Sequence, residues 1–153
     1  QVNLADSTSN EWYITGVQLE AGTSASDFEF LPFDINLQRC ERYFYQAGTS
    51  VNGAGEQNIG IGQWYSASEI VYNIYAPTTM RTKPSLTTPT VTNGYRFHKS
   101  SSYVESDTAG SISDAGNQIL AVYKSGLSGG TGGQASFIVT KTSPAKVQFS
   151  AEL

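Results

Sequence analysis

The chain has 153 residues, a formal net charge of −4 and 14% charged residues, against roughly 25% in an average soluble domain. That length suits one domain with at most a short appendage, and 39% hydrophobic content excludes a disordered chain. The 9 Lys and Arg form no basic cluster, which argues against a nucleic-acid partner, and no apolar run approaches the roughly 18 residues of a membrane span. Ser and Thr number 34 beside 15 Gly and 9 Tyr, the composition of a β-protein with hydroxyl-rich surfaces and many turns. The chain starts at Gln1 without a basic or apolar leader, which suggests a piece of a longer polypeptide. A single cysteine, Cys40, excludes an internal disulfide, and no Asn-x-Ser/Thr acceptor occurs. A reducing compartment of synthesis is expected.

Residues 11–20 alternate imperfectly, with Trp12, Ile14, Val17 and Leu19 interrupted at Gly16. That pattern predicts a strand with a bulge. A small-residue linker follows and leads to Phe28, Phe30 and Phe33, expected to be extended and packed on a neighbour. One helix is predicted next, with Asp34 as N-cap and Ile35, Leu37, Cys40, Tyr43 and Phe44 at near-helical spacing. Two to three turns are too few to be stable without tertiary or intersubunit packing. Arg39 and Arg42 suit its C-terminal dipole, and Tyr43-Phe44-Tyr45 should already be strand.

From there the pattern is β throughout. Strands are expected at 58–62, 64–76, 78–82, 86–92, 94–99, 102–107, 118–124, 134–141 and 146–152. Asn93-Gly94 is the strongest short hairpin signal, and Asn52-Gly53 marks another turn. Residues 125–133, SGLSGGTGG, read as a mobile loop. Short strands with frequent turns predict an all-β fold, an antiparallel β-sandwich with one short N-terminal helix.

Three spaced elements carry a family resemblance. Gly16-Val17-Gln18-Leu19-Glu20-Ala21-Gly22 precedes Asp27-Phe28-Glu29-Phe30-Leu31-Pro32, and Leu37-Gln38-Arg39-Cys40-Glu41-Arg42-Tyr43-Phe44 follows. This order resembles the end of a jelly-roll module and the opening of the C-terminal domain in bacteriophage tail-fibre and tail-spike proteins. Ala76-Pro77-Thr78-Thr79-Met80-Arg81-Thr82-Lys83-Pro84 is similar to a "P..MR..P" strand of that family, and Ser150-Ala151-Glu152-Leu153 to its "AEL" ending. The resemblance divides the chain at residues 1–33, the last strand of an upstream jelly-roll-type module plus linker, and 34–153, the C-terminal domain. It implies a jelly-roll-like homotrimer on a virion appendage, assembled in the bacterial host cytoplasm, with host-receptor binding and no enzymatic activity. Leu37, Cys40, Tyr43 and Phe44 would then be covered partly by neighbouring copies.

Catalytic and metal chemistry find little in the sequence. His98 is the sole histidine and no G-x-S-x-G elbow is present, so a structural or surface role is expected of it. One His with one Cys cannot build a zinc cage, and no calcium-loop pattern occurs, so neither metal nor cofactor is expected. The 13 acidic residues leave a paired-carboxylate glycosidase formally open, because such a pair would meet only in the fold. Cys40 is expected to be a small buried hydrophobe. Trp64, Tyr65, Tyr72, Tyr75, Tyr95 and Tyr103 are the aromatic stock for a sugar platform.

The expected function is attachment to a host cell surface, through a bacterial glycan or protein, alongside contacts with other virion proteins. Loops should carry it, with Asn52, Glu56 and Gln57 in the 49–57 turn, the 125–133 loop, and Tyr95 and Tyr103 beside turns as candidate ligand contacts. The alternative is a structural virion component such as a head fibre, baseplate or capsid-decorating domain. A polysaccharide-cleaving enzyme is the third reading.

Overall fold

The computed structural model describes residues 13–24, 26–48, 56–113, 116–141 and 144–152. The chain divides into two compact units, Gln1–Phe33 and Asp34–Leu153. Among its described residues the first unit has no regular strand. The strand expected at 11–20 is therefore absent over 13–20, because a strand needs a ladder partner and this segment has none among the described residues. Side chains order it instead. Glu20 accepts from the Ser26 hydroxyl and backbone N–H, and the Gln18 side-chain carbonyl accepts from the Glu29 N–H at 2.7 Å. The Ser26 side chain first, then its backbone N–H, holds the Glu20 carboxyl below its ordinary range. Phe28 and Phe30 are exposed, not packed on a neighbour as expected.

The second unit is mostly β, with two antiparallel sheets and one short helix, consistent with an all-β sandwich. Helix α1 runs Phe33–Glu41, so Asp34 lies in its first turn and is not the N-cap. No residue of α1 is buried, and Cys40 is exposed, which corrects the expectation of a buried thiol. The strands are β1 (Phe44–Ala47), β2 (Gln57–Trp64), β3 (Ile70–Tyr75), β4 (Ser85–Thr87) and β5 (Tyr95–Lys99), then β6 (Ser102–Ser106), β7 (Ser111–Ile112), β8 (Ile119–Lys124), β9 (Ala135–Thr140) and β10 (Val147–Ser150). The small sheet is ordered β1-β10-β4 and the large one β6-β5-β9-β2-β3-β8-β7.

Alternation assigns the faces. In β3, Ile70, Tyr72 and Ile74 are buried, as are Leu120 and Val122 across the ladder in β8 and Ile138 in β9, beyond β2. Val147 and Phe149 of the small sheet join them in one core cluster. The other residues of the large sheet, Ile61, Asn73, Tyr75 and Phe137 among them, therefore point away from the small sheet.

Glycine is required where β2 approaches β3. A Cβ at Gly62 would lie 2.1 Å from the Val71 carbonyl oxygen and 2.5 Å from the Tyr72 Cα. Only hydrogen fits there, and the Tyr72 ring occupies the core beside it. One turn earlier in the strand, Ile59 bulges, and the Asn58 side-chain oxygen accepts from the Gly60 N–H at 3.1 Å.

Several turns differ from expectation. The Asn93-Gly94 turn exists, with Asn93 at φ 50° and Gly94 N–H donating to the Val91 carbonyl, but it closes no hairpin. The strand before it, β4, belongs to the small sheet, so this turn carries the chain from one sheet to the other. The true two-residue hairpin joins β5 to β6 through Ser100 and Ser101, with Ser100 at φ 41° and no glycine. The long strand expected at 64–76 is split, because Tyr65 and Ser66 N–H turn back onto the Glu69 carbonyl.

Residues 78–82 form no strand. Met80 buries its side chain in the core instead, and its N–H donates to the Asn117 carbonyl at 2.7 Å. The 125–133 loop is not free either. Leu127 joins the core, the Gly130 backbone lies against the Trp64 ring, and Gly133 N–H donates to the Trp64 carbonyl. A Cβ at Gly130 would come within 2.0 Å of that ring, so this glycine serves close packing.

Candidate functional site

The outward face of the large sheet gathers the exposed chemistry of the second unit. Strand register sets its rows. Tyr103 of β6 lies opposite His98 of β5, and Phe137 of β9 opposite Ile61 of β2, which lies opposite Asn73 of β3. The His98 and Phe137 rings stack at 3.9 Å between centroids, which joins the two halves into one row. An apolar band thus crosses the middle of the sheet, with Ile61 57%, Tyr75 56% and Phe137 40% exposed.

A groove of about 690 Å³ lies in this band, lined chiefly by Asn58, Ile61, Gln63, Asn73, Tyr75 and Phe137. None of its described lining residues is charged. The side-chain amides of Gln63 and Asn73 make no hydrogen bond among the described residues, so both donor and acceptor capacity face the groove.

Charge gathers at the β5–β6 edge, where it is already paired. Glu105 accepts from Arg96 and from Lys141, each at 2.8 Å, and Arg96 also pairs with Glu56. The Lys141 ammonium first, then the Arg96 guanidinium, holds the Glu105 carboxyl below its ordinary range. The Arg96 guanidinium also sits 3.8 Å from the centre of the Tyr103 ring, a cation–π contact. Burial, with Arg96 as a lesser cause, keeps the His98 imidazole below the ordinary histidine value of 6.5. At the far edge, Tyr123 donates to Glu69, and that bond raises its phenol above the usual range.

The candidate ligand contacts fall in different places. Asn52 lies outside the described residues. Glu56 is engaged by Arg96, and Gln57 opens β2 opposite Thr140. Tyr103 is 49% exposed but has the Arg96 guanidinium over its ring.

Tyr95 is corrected outright, because it is fully buried. Its hydroxyl donates to the Lys146 carbonyl at 2.8 Å and lies 3.1 Å from that of Pro89, bridging β5 to the approach to the small sheet. From the aromatic stock, Trp64 and Tyr72 are also core residues, whereas Tyr65 and Tyr75 are exposed. Sequence reasoning missed Ile61, Asn73 and Phe137. The signal available was the apolar residues on both faces of β3 and β8, more than a one-faced antiparallel strand needs.

Three of the elements that carry the family resemblance, all in the second unit, meet elsewhere. Arg81 N–H donates to the Arg42 carbonyl and Ala151 N–H to the Tyr43 carbonyl, both at 2.7 Å. The Arg81 guanidinium stands 5.8 Å from the Tyr43 ring centre, and the Thr78 hydroxyl donates to Glu41. Three segments distant in sequence thus build one junction where α1 enters the small sheet. Beside it, Leu37, Cys40, Tyr43 and Phe44 are all exposed on the single chain.

Among the described residues no helix is long and apolar enough to cross a membrane, and no three His, Cys, Asp or Glu side chains are grouped to hold a metal. Comparison with protein-family models, curated proteins and solved structures finds no match to this chain.

Proposed function

We propose that this chain is a bacteriophage tail-fibre attachment domain, a non-enzymatic homotrimer that displays a glycan-binding sheet face to the host envelope. The observation that carries this reading is the uncharged groove on the outward face, where two exposed aromatics lie among unused amides. Aromatic faces suit sugar C–H surfaces, and amides suit sugar hydroxyls. The junction around Tyr43 supports a division of labour. Residues that resemble those of tail-fibre domains fix α1 to the small sheet, while the large sheet's outward face points away from that sheet.

Helix α1 supports self-association, since nine residues with no buried side chain are too few to stand without a partner. Two further copies of this chain would cover Leu37, Cys40, Tyr43 and Phe44. A shallow, open sheet face binds one ligand weakly, roughly 0.1–1 mM, and three copies per fibre convert that into useful avidity. The test is adsorption of the purified domain to bacterial cells, comparing wild type with the Phe137→Ala/Tyr75→Ala double variant. A tenfold or greater loss of adsorption by a double variant that still folds is expected. Full adsorption by the folded double variant would refute the site.

A further inference from the structure

The groove can be assigned a ligand class from the chemistry of its walls, an inference that rests on the attachment reading above. We infer that it selects an electrically neutral oligosaccharide segment, built of hexose, deoxyhexose or N-acetylhexosamine units, and discriminates against acidic glycans. Recognition of uronic, sialic or sulfated sugars calls for guanidinium or ammonium groups, because an anion taken from water needs a charge-assisted partner. None of the described lining residues supplies one.

The nearest cations on this face, Arg96 and Lys141, are committed to Glu105 and Glu56. That cluster has two positive and two negative side chains, so its net field on the groove is small. The Arg96 side chain is also only 13% exposed and spans the Tyr103 ring, which leaves it no path to a ligand without breaking those contacts.

The groups that are free match a neutral sugar. A sugar hydroxyl both donates and accepts, as does the side-chain amide of Asn73 or Gln63, whereas an arginine only donates. Asn73 stands beside Ile61 in register, and Tyr75 lies two residues further along β3 on the same face. An amide is therefore set between apolar surfaces, the arrangement that holds a pyranose by one C–H face and one hydroxyl edge. An acetamido group would add a second donor–acceptor pair and a methyl for Ile61 or Phe137. The groove, about 690 Å³, falls within the roughly 300–1,000 Å³ of small-molecule sites and takes a short segment of a longer chain.

The experiment is a glycan array carrying neutral hexose, deoxyhexose and N-acetylhexosamine oligosaccharides beside sialylated, uronic-acid-containing and sulfated ones. It is probed with wild type, Asn73→Ala and Phe137→Ala, each checked for its thermal midpoint and sedimentation. The expected result is signal on neutral glycans, reduced at least tenfold in both variants and unchanged between low and high salt, since a neutral ligand leaves nothing to screen. Signal mainly on acidic glycans, salt-sensitive yet lost in the variants, would overturn the ligand class and leave the attachment site standing. Neutral-glycan signal that survives in both variants would overturn the groove itself. Absence of all array signal, or variants that sediment as smaller species, would also overturn the inference, the latter by making a second copy the occupant of this face.

Discussion

The ring of His98 lies flat on that of Phe137, 3.9 Å between centroids and 14° between planes. The stack joins the charged edge of the large sheet to its uncharged centre, and the His98 Nε2 is buried without a hydrogen-bond partner among the described residues. A proton placed there would be poorly solvated and would face Arg96, so the folded state holds His98 below 6.5. As pH falls through about 6.5, the unfolded chain takes up this proton before the folded one does. Stability is therefore lost on the acid side of that value and kept above it. His98→Gln should flatten the slope of the urea midpoint between neutral and mildly acidic pH, while changing ligand binding less than tenfold. An unchanged slope would mean that the imidazole is solvated in the native protein.

Tyr95→Phe removes the hydroxyl that bonds to Lys146 and approaches Pro89. The expected cost is about 0.5–1.5 kcal/mol in chemical denaturation, with no effect on cell adsorption. An adsorption defect in the folded variant would return Tyr95 to the binding surface.

Gly62→Ala and Gly130→Ala both add a methyl where none fits, against the Val71 carbonyl and the Trp64 ring respectively. Overpacking of this kind costs roughly 1–3 kcal/mol or more, which thermal unfolding would read as a clear fall in midpoint. A neutral result at Gly130 would mean that the 125–133 loop lifts away from Trp64 in solution.

The same contacts give a loop-length prediction. Replacing 126–133 by a two-residue turn removes Leu127 from the core and uncovers Trp64, so the shortened protein should be destabilised or fail to fold. A fully stable shortened protein would contradict the packing.

Much of this architecture is legible in the sequence. The strands at 95–99, 102–106, 119–124 and 135–140 lie within the segments that alternation predicts, because side-chain period is a local property. What eludes sequence reasoning depends on partners. Asn93-Gly94 has hairpin chemistry, yet β4 finds β10, a strand some sixty positions later, and the hairpin never forms. The SGLSGGTGG loop looks flexible because glycine marks both mobility and close packing, and only the Trp64 ring decides between them. Tyr95 sits beside a turn, where exposure is the ordinary expectation, but its register opposite Thr140 turns its ring inward. The proposed binding face is hidden in the sequence for a related reason. Ile61, Asn73 and Phe137 come from three strands, and nothing in any one strand tells that they form a single row.

Helix α1 should report on assembly. Leu37→Glu adds a charge to a helix with no buried residue and should not lower the stability of an isolated chain by more than about 0.5 kcal/mol. In a trimer it would be buried against neighbours, so sedimentation should change from a trimer to smaller species. A wild-type monomer at micromolar concentration would refute the trimer.

The central claim is that the outward face of the large sheet, and not its loops, holds the partner. The most direct measurement is amide and methyl chemical-shift mapping of the labelled protein titrated with polysaccharide from the bacterial strain to which it adsorbs. The account predicts saturable shifts concentrated at Ile61, Gln63, Asn73, Tyr75 and Phe137, with α1 and the 125–133 loop unmoved. Shifts confined to those two segments or to residues 49–57, with the groove residues silent, would contradict it.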